Sequence, residues 1–194
     1  MNRSAAEDLF SRLDRELWLV TAASAGRLGG LIATLVSQAS IGPDAPRVVL
    51  SMAKQHHTWT LVEQSRAFGL HLIAENQLDL AWRFGLTSGR DVNKFEGLSY
   101  RLGASGAPIL PEMPGWLDCR VLGSLDAGDR TIYLGEVVDA ASGPACPLLT
   151  ASQMLKRATS EQRQRLDEAY QRDQRLQAAA LQTWRRSRSD GGPE

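Results

Sequence analysis

The sequence predicts a mainly β fold, an antiparallel barrel of six short strands with an N-terminal helix and a helical C-terminal extension. Three observations predict it. Apolar segments of strand length recur between residues 17 and 141, each bounded by turn residues such as Gly, Pro, Asp and Ala. Most are separated by too little sequence for the helical crossovers that parallel strands need, which favours antiparallel pairing and closure into a barrel. Helical spacing is confined to the two ends and to two short insertions.

The elements follow in order. From Ser4 to about Glu16, Ala5, Leu9, Leu13 and Leu17 recur every four residues, which predicts an amphipathic helix lying against the body with Ser4 as its N-cap. "LWLVTAAS" then runs to the turn "AGRLGG", "GLIATLVSQASI" to "GPDAP", and "RVVLSM" to the polar "AKQHHT". After these come "FGLHLIA", "LDCRVLGSLD" and "RTIYLGEVVDA", the last two joined by "AGD". Alternation in "FGLHLIA" sets Phe68, Leu70 and Leu72 on one face and Gly69, His71 and Ile73 on the other. The insertions "TWTLVEQS", with Thr60 and Glu63 at capping-box spacing, and "NQLDLAWRFGL" read as short helices.

From Leu149 to about Arg188 the pattern is helical. Thr150 with Gln153, and Thr159 with Gln162, hold capping-box spacing and mark one short helix followed by one long one. In the long helix Leu166, Ala169, Tyr170, Leu176, Ala180 and Trp184 approximate a stripe that could cover the chain's own barrel or a second subunit. The expected organisation is a barrel domain over 1–147, a helical extension over 148–188 and a disordered tail over 189–194.

Composition limits the partners. The 194 residues suffice for one sizeable core. Twenty-two basic and 22 acidic residues give zero net charge, so no global field attracts nucleic acid or an anionic membrane. Cys119 and Cys146 form no CxxC and lack the density of a disulfide scaffold, so both are expected as free thiols in a reducing compartment. The N-terminus has no signal-peptide core and no run is long enough to span a bilayer, so a soluble cytoplasmic protein is expected.

No Walker or dinucleotide glycine loop, GxSxG or HExxH occurs. His56 and His57 are sequence neighbours whose rings point apart on an extended backbone, and His71 is distant, so no metal site is expected. Two stretches carry chemistry instead. "AKQHHTWTLVEQ" puts a lysine, two histidines and two threonines where a strand hands over to a helix, a junction whose free N–H groups and dipole suit a phosphate. Ser51, Lys54, His57 and Thr58 are the candidate contacts; the competing reading is that Thr58 or Thr60 caps the helix and Lys54 is solvated. In "GGLIATLVSQAS", Gly29 and Gly30 would let another backbone or a flat ligand approach closely, and Ala33, Thr34 and Ser37 are small or carry hydroxyls, unless Thr34, Ser37 and Ser40 satisfy their own sheet neighbours.

The succession "GGLIATLVSQAS", "PRVVLSMAKQHHTW", "FGLHLIAENQLDLAWRFG", "DVNKFEG", "GAPILPEMPGWLDCRV" and "GDRTIYLGEVVDA" resembles the flavin reductase-like FMN-binding split-barrel family over about Leu17 to Ala141. Within it, the sequence is similar to the C-terminal reductase domain of cyanobacterial diflavin flavoproteins. The resemblance implies a six-stranded Greek-key split barrel, a homodimer, and FMN reduced by NADH or NADPH. It implies that Leu31, Ile32, Ala33 and Thr34 lie along the isoalloxazine ring, that Ser51 to Thr58 hold the phosphate, and that Arg90 to Phe95 form a loop near the flavin or nicotinamide. Two departures stand out. The family's asparagine-glycine-methionine-threonine stretch is here "GGLI", and its glycine-aspartate-histidine is "GDR", so Arg130 stands where a histidine often faces the ring. Arginine cannot serve as a neutral acid or base near pH 7, but it can stabilise anionic flavin or hold a nicotinamide phosphate; the competing reading pairs it with Asp126 or Asp129 in an exposed turn. Three functions are therefore weighed. The leading one is an NAD(P)H-dependent FMN reductase-like oxidoreductase. The others are an FMN-binding module reduced by a protein electron-transfer partner and a flavin-less barrel with a structural or interaction role.

Overall fold

The computed structural model describes residues 3–190, with side chains from Ala5 to Ser189. The chain runs α1 (Arg3–Ser11), β1 (Trp18–Ser24), β2 (Arg27–Ala33), β3 (Val36–Gln38), β4 (Arg47–Ala53), α2 (His57–Ser65) and β5 (Ala67–Leu72). A 3-10 turn (Glu75–Gln77) leads into α3 (Leu78–Gly85), followed by β6 (Arg101–Leu102), β7 (Pro108–Ile109), β8 (Gly115–Asp126), β9 (Arg130–Ser142), α4 (Ala151–Lys156) and α5 (Ser160–Asp190). The fold is thus mainly β with helices, as the strand spacing predicts.

One antiparallel sheet holds seven strands in the order β2-β1-β5-β8-β9-β4-β3, and β6 and β7 form a separate pair. The sheet must curl. Laid flat, six inter-strand steps would separate its edges by ~29 Å. The edge strands β2 and β3 are joined by Thr34 and Leu35 alone, a step from Ala33 to Val36 that reaches at most ~11 Å. This also explains why seven strands replace the expected six: the single segment "GLIATLVSQASI" breaks at Thr34 and Leu35, and its halves pair with β1 on one side and β4 on the other.

Alternation along the strands feeds two cores. Val20, Leu50, Met52, Phe68, Leu70 and Tyr133 fill the inside of the curl. Leu19 and Ile73 point the other way and pack with Phe84 of α3, Leu110 and Leu149. His71, on the same face as Ile73, is fully buried between two backbone groups: Nδ1 donates to the Leu19 carbonyl at 3.1 Å while Nε2 accepts from the Leu110 N–H at 3.1 Å.

The N-terminal expectation needs correction. The helix stops at Ser11, well before Glu16, and Leu9, Phe10 and Leu13 are exposed instead of facing the body. Asp14 is drawn to the start of α4, where it accepts from Ser152 N at 3.0 Å and from the hydroxyls of Thr150 and Ser152, so the chain has left the helix there. The Ser4 side chain lies outside the described residues. Both C-terminal capping boxes form: Thr150 N donates to Gln153 Oε1 at 2.8 Å and Thr159 N to Gln162 Oε1 at 2.9 Å. The Thr60/Glu63 box does not. α2 starts from His56, four residues before Thr60, and Glu63 accepts from the Tyr133 hydroxyl at 2.6 Å. α5 continues to Asp190, past the expected end, and the rest of the predicted tail, 191–194, lies outside the described residues. Both cysteines are free thiols; Cys119 is buried and its pKa is pushed up to about 12 by burial, so it stays protonated and unreactive. Among the described residues no helix is long and apolar enough to cross a membrane, and no group of His, Cys, Asp or Glu could hold a metal ion.

Candidate functional site

The break between β2 and β3, the end of β4 and the start of α2 enclose a cleft. Its larger part is a cavity of about 580 Å³, within the size range of small-molecule sites, and its smaller part measures about 150 Å³. Leu31, Ile32 and His56 line both, so the two lie side by side along one wall.

The predicted residues divide between the two parts. Leu31 and Ile32 form the shared wall; Ala33, Thr34, Ser51 and Arg130 line the smaller part, and His57 and Thr58 the larger. Lys54 and Ser37 line neither. Lys54 Nζ is held 2.6 Å from Asp126, and exposed Ser37 donates to the Gln38 carbonyl at 3.3 Å. The two glycines take the close approach of other chain elements that the sequence allowed, and Gly30 also lines the larger part. A Cβ at Gly29 would lie 2.7 Å from Leu61 Cδ1, and one at Gly30 2.6 Å from the Phe84 ring. Their lack of a side chain lets α2 and α3 sit close to β2.

At the larger end, three kinds of donor line one cavity. α2 starts from His56 in an extended conformation with no side chain capping it, so neither Thr58 nor Thr60 acts as the cap, and the orphan N–H groups of the first turn open beside His57 and Thr58. Gln55 Nε2 is buried and makes no hydrogen bond. Lys94 is 5% exposed, donates only to the carbonyls of Gly30 at 3.1 Å and Phe84 at 2.8 Å, and forms no ion pair among the described residues. Burial lowers its pKa to about 8, so at pH 7 it still carries a charge that the protein itself does not neutralise. Burial likewise lowers the pKa values of His56 and His57, which favours neutral imidazoles there. The cleft therefore offers donors and positive charge, the requirements of an oxyanion.

At the smaller end Arg130 Nε donates to Asp129 Oδ2 at 2.9 Å and its Nη2 to Gln177 Oε1 at 3.0 Å. The pairing with Asp129 weighed from the sequence is thus present, yet the residue still lines the cleft.

Sequence reasoning did not single out Gln55, Phe84, Thr87 or Ser88, nor the α5 residues Arg165, Arg172 and Gln177, all of which line the cleft. The run "GLTSGR" after α3 was a usable signal, being small and hydroxyl-rich. Nothing in the α5 sequence marks its cleft-facing side.

The family model described as flavin reductase like domain matches residues 10–158. The chain is 34% identical over 127 residues to the high molecular weight rubredoxin of Moorella thermoacetica, covering 64% of this chain and 55% of that protein. It is 30% identical over 135 residues to the ferric-chelate reductase (NAD(P)H) of Archaeoglobus fulgidus, covering 69% and 79%. Among solved structures, the flavin reductase domain protein from Arthrobacter sp. FB24 matches with a TM-score of 0.67 at 27% identity, covering 76% of this chain and 89% of that one.

Proposed function

The chain belongs to the flavin reductase like domain family, and from that premise we propose that it is an oxidoreductase that binds FMN in the cleft and reduces it with NADH or NADPH. The observation that carries the reading is the meeting of Gln55 Nε2, Lys94 and the uncapped start of α2 at one end of a cleft whose wall is formed by Leu31 and Ile32 and whose other end carries Thr34, Ser51 and Arg130. A phosphorylated ring compound fits both ends, whereas a flavin-less barrel leaves these donors unexplained.

In this reading Leu31, Ile32, Ala33 and Thr34 flank the ring, while Ser51 and Thr34 offer hydroxyls to its polar edge. His57 and Thr58 offer backbone N–H groups to the phosphate beside Gln55 and Lys94. Bound flavin supplies the hydride acceptor, which no protein side chain can replace. The chain's own residues position, desolvate and neutralise. Leu31 and Ile32 exclude water from one side, and Arg130, fixed by Asp129 and Gln177, keeps positive charge at the smaller end without exchanging protons near pH 7. We further read the curled sheet as a Greek-key split barrel, 148–188 as its helical extension and the protein as a homodimer. Exposed Leu9, Phe10, Leu122 and Leu125 offer apolar surface for a second copy.

The test is spectroscopic. Chain mixed with FMN should stay yellow through gel filtration and bleach anaerobically on addition of NADH or NADPH. A yellow sample indifferent to both nicotinamides would instead favour reduction by a protein partner, the reading that Arg130 in place of histidine supports. A colourless sample that ignores FMN rejects both.

A further inference from the structure

α5 lies beyond residues 10–158, the part of the chain that the family model matches, yet it lines the cleft. Arg165, Ala169, Arg172 and Leu176 border the larger cavity and Gln177 the smaller. The first four are spaced by four, three and four residues, so they share one helix face. On either side of the cleft the helix is anchored by apolar contacts: Leu166 packs on the core around Phe84, and Trp184 lies against Gly128, where a Cβ would sit 3.0 Å from the indole. Between the anchors, its half-buried positions include polar Asp173 and Gln177. A helix that only covered a core would be apolar there; this one turns polar where it crosses the cavity.

The two arginines are weakly engaged. Arg172 Nε is 3.6 Å from Asp173 on its own helix, and Arg165 reaches the Leu86 carbonyl at 3.5 Å. Ala169, one turn from each, leaves the space between them open. Around the larger cavity Arg90, Lys94, Arg165 and Arg172 face the carboxylates Asp91 and Asp173, so α5 supplies the whole excess of arginine over acid that remains once Lys94 is set aside.

We propose that α5 forms a wall of the ligand site and that Arg165 and Arg172 are specificity-determining residues, recognising the phosphate of the bound flavin together with Lys94. This rests on the flavin reading above. A phosphate carries close to two negative charges at pH 7, more than Lys94 alone neutralises, and the guanidinium fork matches its oxygens. Phosphorylated flavin is then selected over riboflavin, which has the same ring and no phosphate.

The full-length double variant R165Q/R172Q keeps helix-forming side chains of similar length. Dissociation constants for FMN and riboflavin, read from flavin fluorescence, should show FMN binding weakened about tenfold or more, because charged hydrogen bonds are lost. Riboflavin binding should be unchanged, and the FMN constant should depend less on salt than in the wild type. R165K/R172K, which keeps charge but loses the fork, should fall between. Unchanged FMN affinity, equal weakening of riboflavin, or a loss confined to the KM for NADH or NADPH would each overturn the assignment. A wild-type chain that binds neither flavin would overturn the flavin reading itself, and this inference with it.

Discussion

At the scale of single residues, His71 is a fully buried side chain bonded at both ring nitrogens. Its two ring nitrogens serve one backbone acceptor and one backbone donor, which fixes the Nδ1–H tautomer and leaves no place for a second proton. Burial, the largest cause, depresses its pKa to about 4. In the unfolded chain the same group titrates near 6.5, so between pH 6.5 and 4 the unfolded state binds a proton that the folded state refuses, and stability falls as pH falls through that window. The contribution is about 3 kcal/mol. Urea denaturation at pH 7 and pH 4.5 should show this loss, and His71→Gln, which cannot titrate, should show a shallower dependence on pH. Equal slopes for the two proteins would mean that His71 is not the group responsible. The sequence placed His71 on the correct face of its strand. It could not show the Leu110 amide that consumes the second nitrogen, since that contact joins residues 39 positions apart.

At the scale of elements, the fit of helices to β2 sets the shape of the cleft. Gly30 has the Phe84 ring where a side chain would begin, and Phe84 in turn stacks edge-on with Phe95 at 5.4 Å and lies beneath Lys94. Gly30→Ala must therefore displace α3 or the ring, at a cost of about 1–3 kcal/mol of overpacking strain. The same shift moves the Lys94 loop, so FMN affinity should drop along with the thermal midpoint; a stable variant with unaltered affinity would uncouple the two. The long helix follows a different logic. Of its sequence stripe, Leu166, Ala169, Ala180 and Trp184 are half-buried but Tyr170 and Leu176 are 66% and 49% exposed, and Gln162, Asp173, Gln177 and Leu181 complete the half-buried face. Apolarity could not mark Asp173 and Gln177 because the face crosses a polar cavity there, where burial does not demand an apolar side chain.

At the scale of the whole molecule, the curl of the sheet gives it a graded stability. β1, β5 and β8 lie inside the sheet with partners on both edges and buried residues on both faces. α1 carries exposed Leu9 and Phe10, and α5 forms no ion pair with the sheet among the described residues. Amide hydrogen exchange should accordingly be slowest in β1, β5 and β8 and fastest in α1 and α5, with FMN slowing the α5 amides between Arg165 and Gln177. Protection of α5 equal to that of β5 before any ligand is added would contradict this picture.

The sequence by itself determined the strand segments, the two capping boxes, the junction at His57 and Thr58 and the apolar wall at Leu31 and Ile32, because each rests on spacing within a few residues of chain. Only the tertiary structure decided that Lys54 turns to Asp126, that Gly29 and Gly30 receive helices, that Lys94 is left without a counter-charge, and that α5 returns across the cleft. These are outcomes of the sheet closing on itself. Which donors meet in space depends on how far the edges curl together, a property of all seven strands that no local stretch encodes.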